Sequence, residues 1–221
     1  MKTIEQIFTE NAHKAIDCQP FLAELLGEYS WELDTEKDLI SFQTESKSYK
    51  SSVQYLFSYS NISNTLQWAW ANQYPFNKTS LTEINKIKEL VEAGKNEKFT
   101  IPSFSVESVF ISEFNHYDYA YFCSSILGKP FFICTHDNRE LFVVIEDESF
   151  IQKPGIDAKI AVKRFQDFVY TTVLLDQRDA FINYITYHGY EFEELGNNLI
   201  VDGIRVSFDE FGFYKNSSLT K

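Results

Sequence analysis

Four histidines and three cysteines hold most of the reactive side-chain chemistry in this sequence, and none stands at a spacing that completes a site. His13, His116, His136 and His188 contain no H-x-x-x-H pair, whereas zinc and related ions need three or four convergent ligands. His136-Asp137 falls at a hairpin turn, where a polar dipeptide is ordinary. Cys123 lies in an apolar helical stretch and Cys134 alternates within a strand, positions where a thiol packs rather than attacks. Cys18 has no partner at a paired spacing either. The expectation is no metal, no cofactor and no internal disulfide. The G-x-S-x-G elbow, the P-loop and G-x-G-x-x-G are missing, so the common hydrolase, nucleotide and dinucleotide signatures are absent.

Carboxylates and amides come next. On one face of a strand, Glu191 and Glu193 would lie roughly 7 Å apart, the separation of the acid–base pair of an inverting glycosidase. Glu191, Glu193 and Glu194 also mix with Tyr190, Phe192 and Leu195 as the solvated face of a half-buried strand does, and Asp209-Glu210 reads as a turn. That second reading prevails, and no catalytic residue is assigned. Asn72 ends the most aromatic strand of the chain, ahead of Gln73-Tyr74-Pro75. A strand-end amide can hold a ligand or satisfy the backbone of the turn. If the chain has a binding pocket, Tyr55, Tyr59, Trp68, Trp70 and Asn72 are its expected lining, although an aromatic stripe on strands is more often core.

The elements that would position these residues centre on 53–72. Val53, Tyr55, Phe57 and Tyr59 alternate on one strand. Leu66, Trp68 and Trp70 alternate on the next, with Asn61 to Asn64 as the turn between them. Ahead of this hairpin the spacing predicts a helix over 4–26, broken at Pro20, then strands over 29–34 and 39–44 and a loop or exposed strand end over 45–52. Behind it, Ser80-Leu-Thr-Glu83 is a capping box for a helix that stops at Gly94. Residues 98–104 read as an edge strand or extended connection, 106–127 as a helix, and 131–136 with 141–145 as a second hairpin. Asp157 and Asp176 cap two more helices, and a strand-rich tail follows from Tyr190. Hairpins in blocks, without strict βαβ alternation, mean an α+β fold: an antiparallel sheet built from hairpins, with flanking helices. The polar run 146–155 is the one plausible boundary, between a main region 1–150 and a C-terminal helix-helix-β-meander region 151–221. The second is expected to pack as part of the same domain.

Leu56-Phe-Ser-Tyr-Ser60 followed by Leu66-Gln-Trp-Ala-Trp-Ala-Asn72 resembles a bacterial family of unknown function marked by a pattern like G-S-Y-S…T-W-L-W-A-W-A-N. Trp31-Glu-Leu-Asp34, Ile40-Ser-Phe42, the passage at Leu127-Gly128 and Val206-Ser-Phe-Asp-Glu-Phe-Gly-Phe213 resemble its other landmarks. Phe57 stands where that family favours glycine, and Phe213 where it favours arginine. The resemblance implies a fold and a bacterial source, and carries no activity.

Composition narrows the partners. With 20 basic and 32 acidic residues the net charge is −12, which disfavours bulk nucleic acid and suits a basic protein. There is no run of eighteen apolar residues and no signal-peptide pattern at the N-terminus, and the odd, sparse cysteine set fits a reducing compartment, so the expected setting is cytoplasmic and off the membrane. Two functions are expected to compete. One is a non-catalytic protein-binding factor acting through an acidic face, of which an immunity protein is one kind. The other is a small-molecule-binding or enzymatic domain with a pocket near the Trp-Ala-Trp-Ala-Asn strand.

Overall fold

The computed structural model describes residues 4–69, 85–89, 108–110, 115–174 and 176–220. The chain opens with two helices, α1 (Ile4–Ile16) and α2 (Cys18–Leu26). The break falls at Asp17, ahead of the predicted position. Pro20 sits inside the first turn of α2, where the missing N–H would have had no helical partner anyway. Strands β1 (Tyr29–Asp34), β2 (Leu39–Thr44) and β3 (Ser48–Ser60) form a meander, and of 45–52, expected as a loop or exposed strand end, residues 48–52 are the first part of β3.

The thirteen residues of β3 organise the sheet. Its first part pairs with β2, and its last four residues pair with β4 (Thr65–Trp68) across the 61–64 turn. Strand β7 (Arg139–Ile145) runs antiparallel along 53–60 and carries β6 (Phe131–His136) on its far edge. The second hairpin turns on Asp137-Asn138 alone, shorter than the predicted 137–140 turn, with Asp137 at φ 50°. Strand β5 (Ser108–Phe110) pairs with β4. The helix expected over 106–127 therefore begins only at His116, as α3 (His116–Leu127). A complete capping box fixes that start: the Asn115 side chain accepts from the first turn, and Asp118 accepts from the Asn115 N–H. Residues 85–89 are helical, whereas the 80–83 capping box and 98–104 lie outside the described residues.

A 3₁₀ turn, Glu148–Phe150, leads to α4 (Ala158–Thr171) and α5 (Gln177–Tyr187), capped as expected by Asp157 and Asp176. The tail is a four-stranded meander of β8 (Glu193–Leu195), β9 (Asn198–Val201), β10 (Ile204–Phe208) and β11 (Tyr214–Leu219). Both sheets are antiparallel, and the fold is α+β.

The larger sheet is apolar on both faces. On one side Phe57, Trp68, Phe131 and Phe142 join Ala12 and Ile16 of α1, Phe122 of α3, Phe165 of α4 and Phe181 of α5 in one core, which continues into Val201 and Val206 of the meander. On the other, Val53, Tyr55, Val143 and Ile145 pack with Leu22 and Leu26 of α2, Phe42 and Phe150. The main core thus draws on both sides of the 146–155 run. Among the described residues, no helix is long and apolar enough to cross a membrane.

Candidate functional site

Strict alternation along β3 would place Val53, Tyr55, Phe57 and Tyr59 on one face. The structure divides them. Tyr55 pairs with Val143 and Phe57 with its neighbour Phe142, so Leu56 is an extra residue on β3, a β-bulge. Before the bulge, Val53 and Tyr55 face the α2 core; after it, Phe57 and Tyr59 face the main core. Phe57, the residue standing in place of a glycine, stacks on Phe142 with centroids 4.4 Å apart and meets Trp68 edge-on at 5.4 Å. Its ring fills space that glycine would leave open.

Of the five residues expected to line a pocket, Tyr55 and Trp68 are fully buried in different cores. Burial and the neighbouring Asp38 carboxylate push the Tyr55 phenol up. Trp70 and Asn72 lie outside the described residues. Tyr59 borders a concavity, with its side chain on the main-core side of the sheet. Its hydroxyl donates to Asn64 Oδ1 at 2.5 Å, and its ring stacks on His116 at 3.9 Å. His116 Nε2 is 2.9 Å from Glu140 Oε2. Burial pulls His116 below its ordinary value while Glu140 works the other way, so the imidazole is mainly neutral near pH 7.

The bulge also re-aims the residues between. Past Leu56, the side chains of Ser58 and Ser60 emerge on the face that Tyr55 occupies before it. There they border an open concavity of about 420 Å³ with Gln67, Cys134, His136 and Arg139.

Sequence reasoning missed a second constellation. Asp17, at the α1–α2 break, is 3% exposed. Its Oδ1 accepts from Tyr184 Oη (2.7 Å) and Arg164 Nη1 (2.9 Å), and its Oδ2 lies 2.8 Å from His188 Nε2. The Gly155 N–H donates to His188 Nδ1 (3.1 Å), which makes Nε2 the protonated nitrogen and the donor to Asp17. The other guanidinium arm of Arg164 reaches both oxygens of Glu24 at 2.8 Å. Burial opposes the Asp17 charge, but the bonds from His188, Tyr184 and Arg164 outweigh it and hold the carboxyl below its ordinary value. A cavity of about 280 Å³ opens beside it, bordered by His13, Lys14, Gln152 and Tyr187. The three residues bonded to Asp17 lie 147 to 171 positions from it in sequence, so no local spacing marks them.

A third feature is on the surface. Glu191 stands outside β8, so no 191/193 ladder pair forms. Glu194 instead holds Arg178 at 2.5 Å, beside the α5 N-terminus with Asp176 and Asp179. Burial first, then the Asp176 carboxylate, push Asp179 up, and Glu194 adds to it. The 209–213 turn docks here through Arg178 N–H to Gly212 O (3.0 Å). Asp209 Oδ1 accepts from the N–H groups of Phe211 and Phe213, both at 2.9 Å, leaving the Phe211 side 74% exposed.

The three thiols are free and buried, and burial pushes Cys18 and Cys134 up to about 12, far from a thiolate at neutral pH. Among the described residues no group of His, Cys, Asp and Glu gathers to hold a metal ion.

No curated protein and no solved structure matches the chain. A family model does match, over residues 5–148, and it stops short of the landmark at Val206–Phe213. That span covers the α1–α2 pair, the larger sheet and α3, and on it the chain belongs to DUF6882, a family of unknown function.

Proposed function

We propose that the protein works by binding, without turnover, a basic segment of another protein on the rim formed by the 209–213 turn, the α5 N-terminus and Glu194. The supporting observation is Phe211, a ring 74% exposed on a turn whose backbone is tied down by Asp209 and Arg178. An apolar anchor held in place before binding loses little entropy when a partner covers it. Carboxylates at 176, 179, 194, 209 and 210 lie on the same turn and helix end and on β8, with Arg178 paired to Glu194 among them, so a lysine- or arginine-rich partner would meet more acid than base on this rim. An immunity protein is one form such a binder takes. The buried free thiols support a reducing, cytoplasmic setting, and the Trp-Ala-Trp-Ala-Asn resemblance supports a bacterial one.

The test is affinity capture with the full chain as bait, alongside co-expression with the products of adjacent genes. A basic partner is expected at low salt, weakened as screening shortens from about 8 Å at physiological ionic strength to about 3 Å at 1 M. It is lost with Phe211→Ala combined with Glu210→Lys. Retention of nothing, or equal retention by the double variant, overturns the reading.

A further inference from the structure

We propose that the concavity on the β6–β7–β3–β4 face is a binding site for a small anion-bearing metabolite, with its carboxylate or phosphate on Arg139. The register carries the argument. Ser60 sits between Thr65 and Arg139, Ser58 between Gln67 and Leu141, and His136 beside Arg139. All border one hollow of about 420 Å³, within the 300–1,000 Å³ range of ligand sites. Further along the same face the sheet is dry core, with Tyr55, Val143 and Ile145 under α2. The change from core to polar hollow occurs at the Leu56 bulge. Were Leu56 paired in register and not bulged, strict alternation would turn Ser58 and Ser60 into the main core and Phe57 into the hollow. Bulges that re-aim side chains are typical next to functional sites.

Charge selects the ligand class. The carboxylate bordering the hollow, Glu140, lies against His116 on the other side of the sheet. Arg139 is exposed and has no ion pair among the described residues, and its guanidinium offers a planar fork to an oxyanion. His136 is also exposed, with the Asp137 carboxylate 3.3 Å away. Hydroxyls at 58, 60, 63 and 65 and the Gln67 amide suit the polar body of such a ligand. The overall charge of −12 repels anions from afar, but screening cuts this off beyond about 8 Å, so the local arginine decides. The site lies on different elements from the acidic rim and stands independently of it.

The experiment titrates inorganic phosphate and, separately, citrate into isotope-labelled full chain at constant ionic strength, following backbone amide resonances. Saturable shifts at Ser58, Ser60 and Arg139 with one or both anions are expected, and the stronger probe tells a phosphate-bearing from a carboxylate-bearing ligand. Arg139→Gln weakens binding roughly tenfold, as loss of a charge-assisted contact should. Ser60→Ala weakens it less, and Lys47→Gln, in the β2–β3 turn, leaves it unchanged. Shifts that fail to saturate on the order of 10 mM, or an Arg139→Gln variant that binds as the parent does, overturn the proposal.

Discussion

Asp17 carries more of this fold than any residue of its size, because it is buried, charged and bonded to three partners. Removing one member of a buried charged network strands the others, and the usual cost is about 3–5 kcal/mol. Asp17→Ala is expected to fall in that range by urea denaturation, far more than Lys163→Ala, whose exposed pair with Asp167 is worth about 0.5 kcal/mol or less. The pH dependence has a definite sign. The Asp17 carboxyl is held below its unfolded value, so its contribution is full above about pH 4 and disappears as pH falls through the lower folded value. The stability gap between the parent and Asp17→Asn should therefore narrow as pH drops from 5 toward 2. A gap that stays constant would mean the charge is not what matters. Trp68 is the apolar counterpart: fully buried against Phe57 and Tyr119, it should cost about 3–5 kcal/mol as Trp68→Ala.

At the scale of elements, two local devices decide where strands and helices begin. Asn115 starts α3 through its capping box, so Asn115→Ala should cost about 1 kcal/mol in the same denaturation assay, and a loss below about 0.3 kcal/mol would place the helix start elsewhere. The Leu56 bulge sets which face each half of β3 presents, and both faces of the sheet are packed. Deleting Leu56 removes the extra residue while leaving Tyr55 opposite Val143 and Phe57 opposite Phe142, so every other side chain of β3 keeps its face and only the buried Leu56 packing is lost. Thermal unfolding followed by circular dichroism should stay cooperative, at a stability lower by the about 2–5 kcal/mol that losing a buried leucine side chain costs, and a lost transition would mean that the bulge itself is needed for the sheet.

At the scale of the whole molecule, the stretch that matches the family does not enclose its own core. Asp17 and Glu24, inside 5–148, are satisfied by Arg164, and Asp17 also by Tyr184 and His188, beyond it. The same helices cover α1, and Phe165 and Phe181 share a core with Ala12 and Phe122. A fragment ending at residue 150 would leave a buried carboxylate without donors and an apolar face in water. It should show no cooperative thermal transition, while the full chain does. Adding the 151–221 peptide in trans and recovering the transition would show that the missing part is packing and not a fault of the fragment.

Much of the architecture was legible from local patterns. Alternation located the two hairpins, Asp157 and Asp176 announced their helices through short-range caps, and blocks of hairpins implied an antiparallel α+β fold. These signals are legible because each depends on residues within a few positions of one another. The helix predicted over 106–127 failed at its start because 108–110 is claimed by β4, a partner more than forty residues away. The face assignment of β3 failed because a bulge leaves no mark in the alternation itself and appears only against β7, some ninety residues on. Tyr59 and Tyr55, expected to line one pocket, lie in different cores, and the ring stacked on Tyr59 belongs to His116, more than fifty residues on. Composition stated an acidic chain from the beginning. Only tertiary structure decided that Asp17 joins Arg164, Tyr184 and His188 out of water, and that an arginine meets a row of hydroxyls at the end of one sheet face, because burial and convergence are properties of packed elements and not of neighbours in sequence.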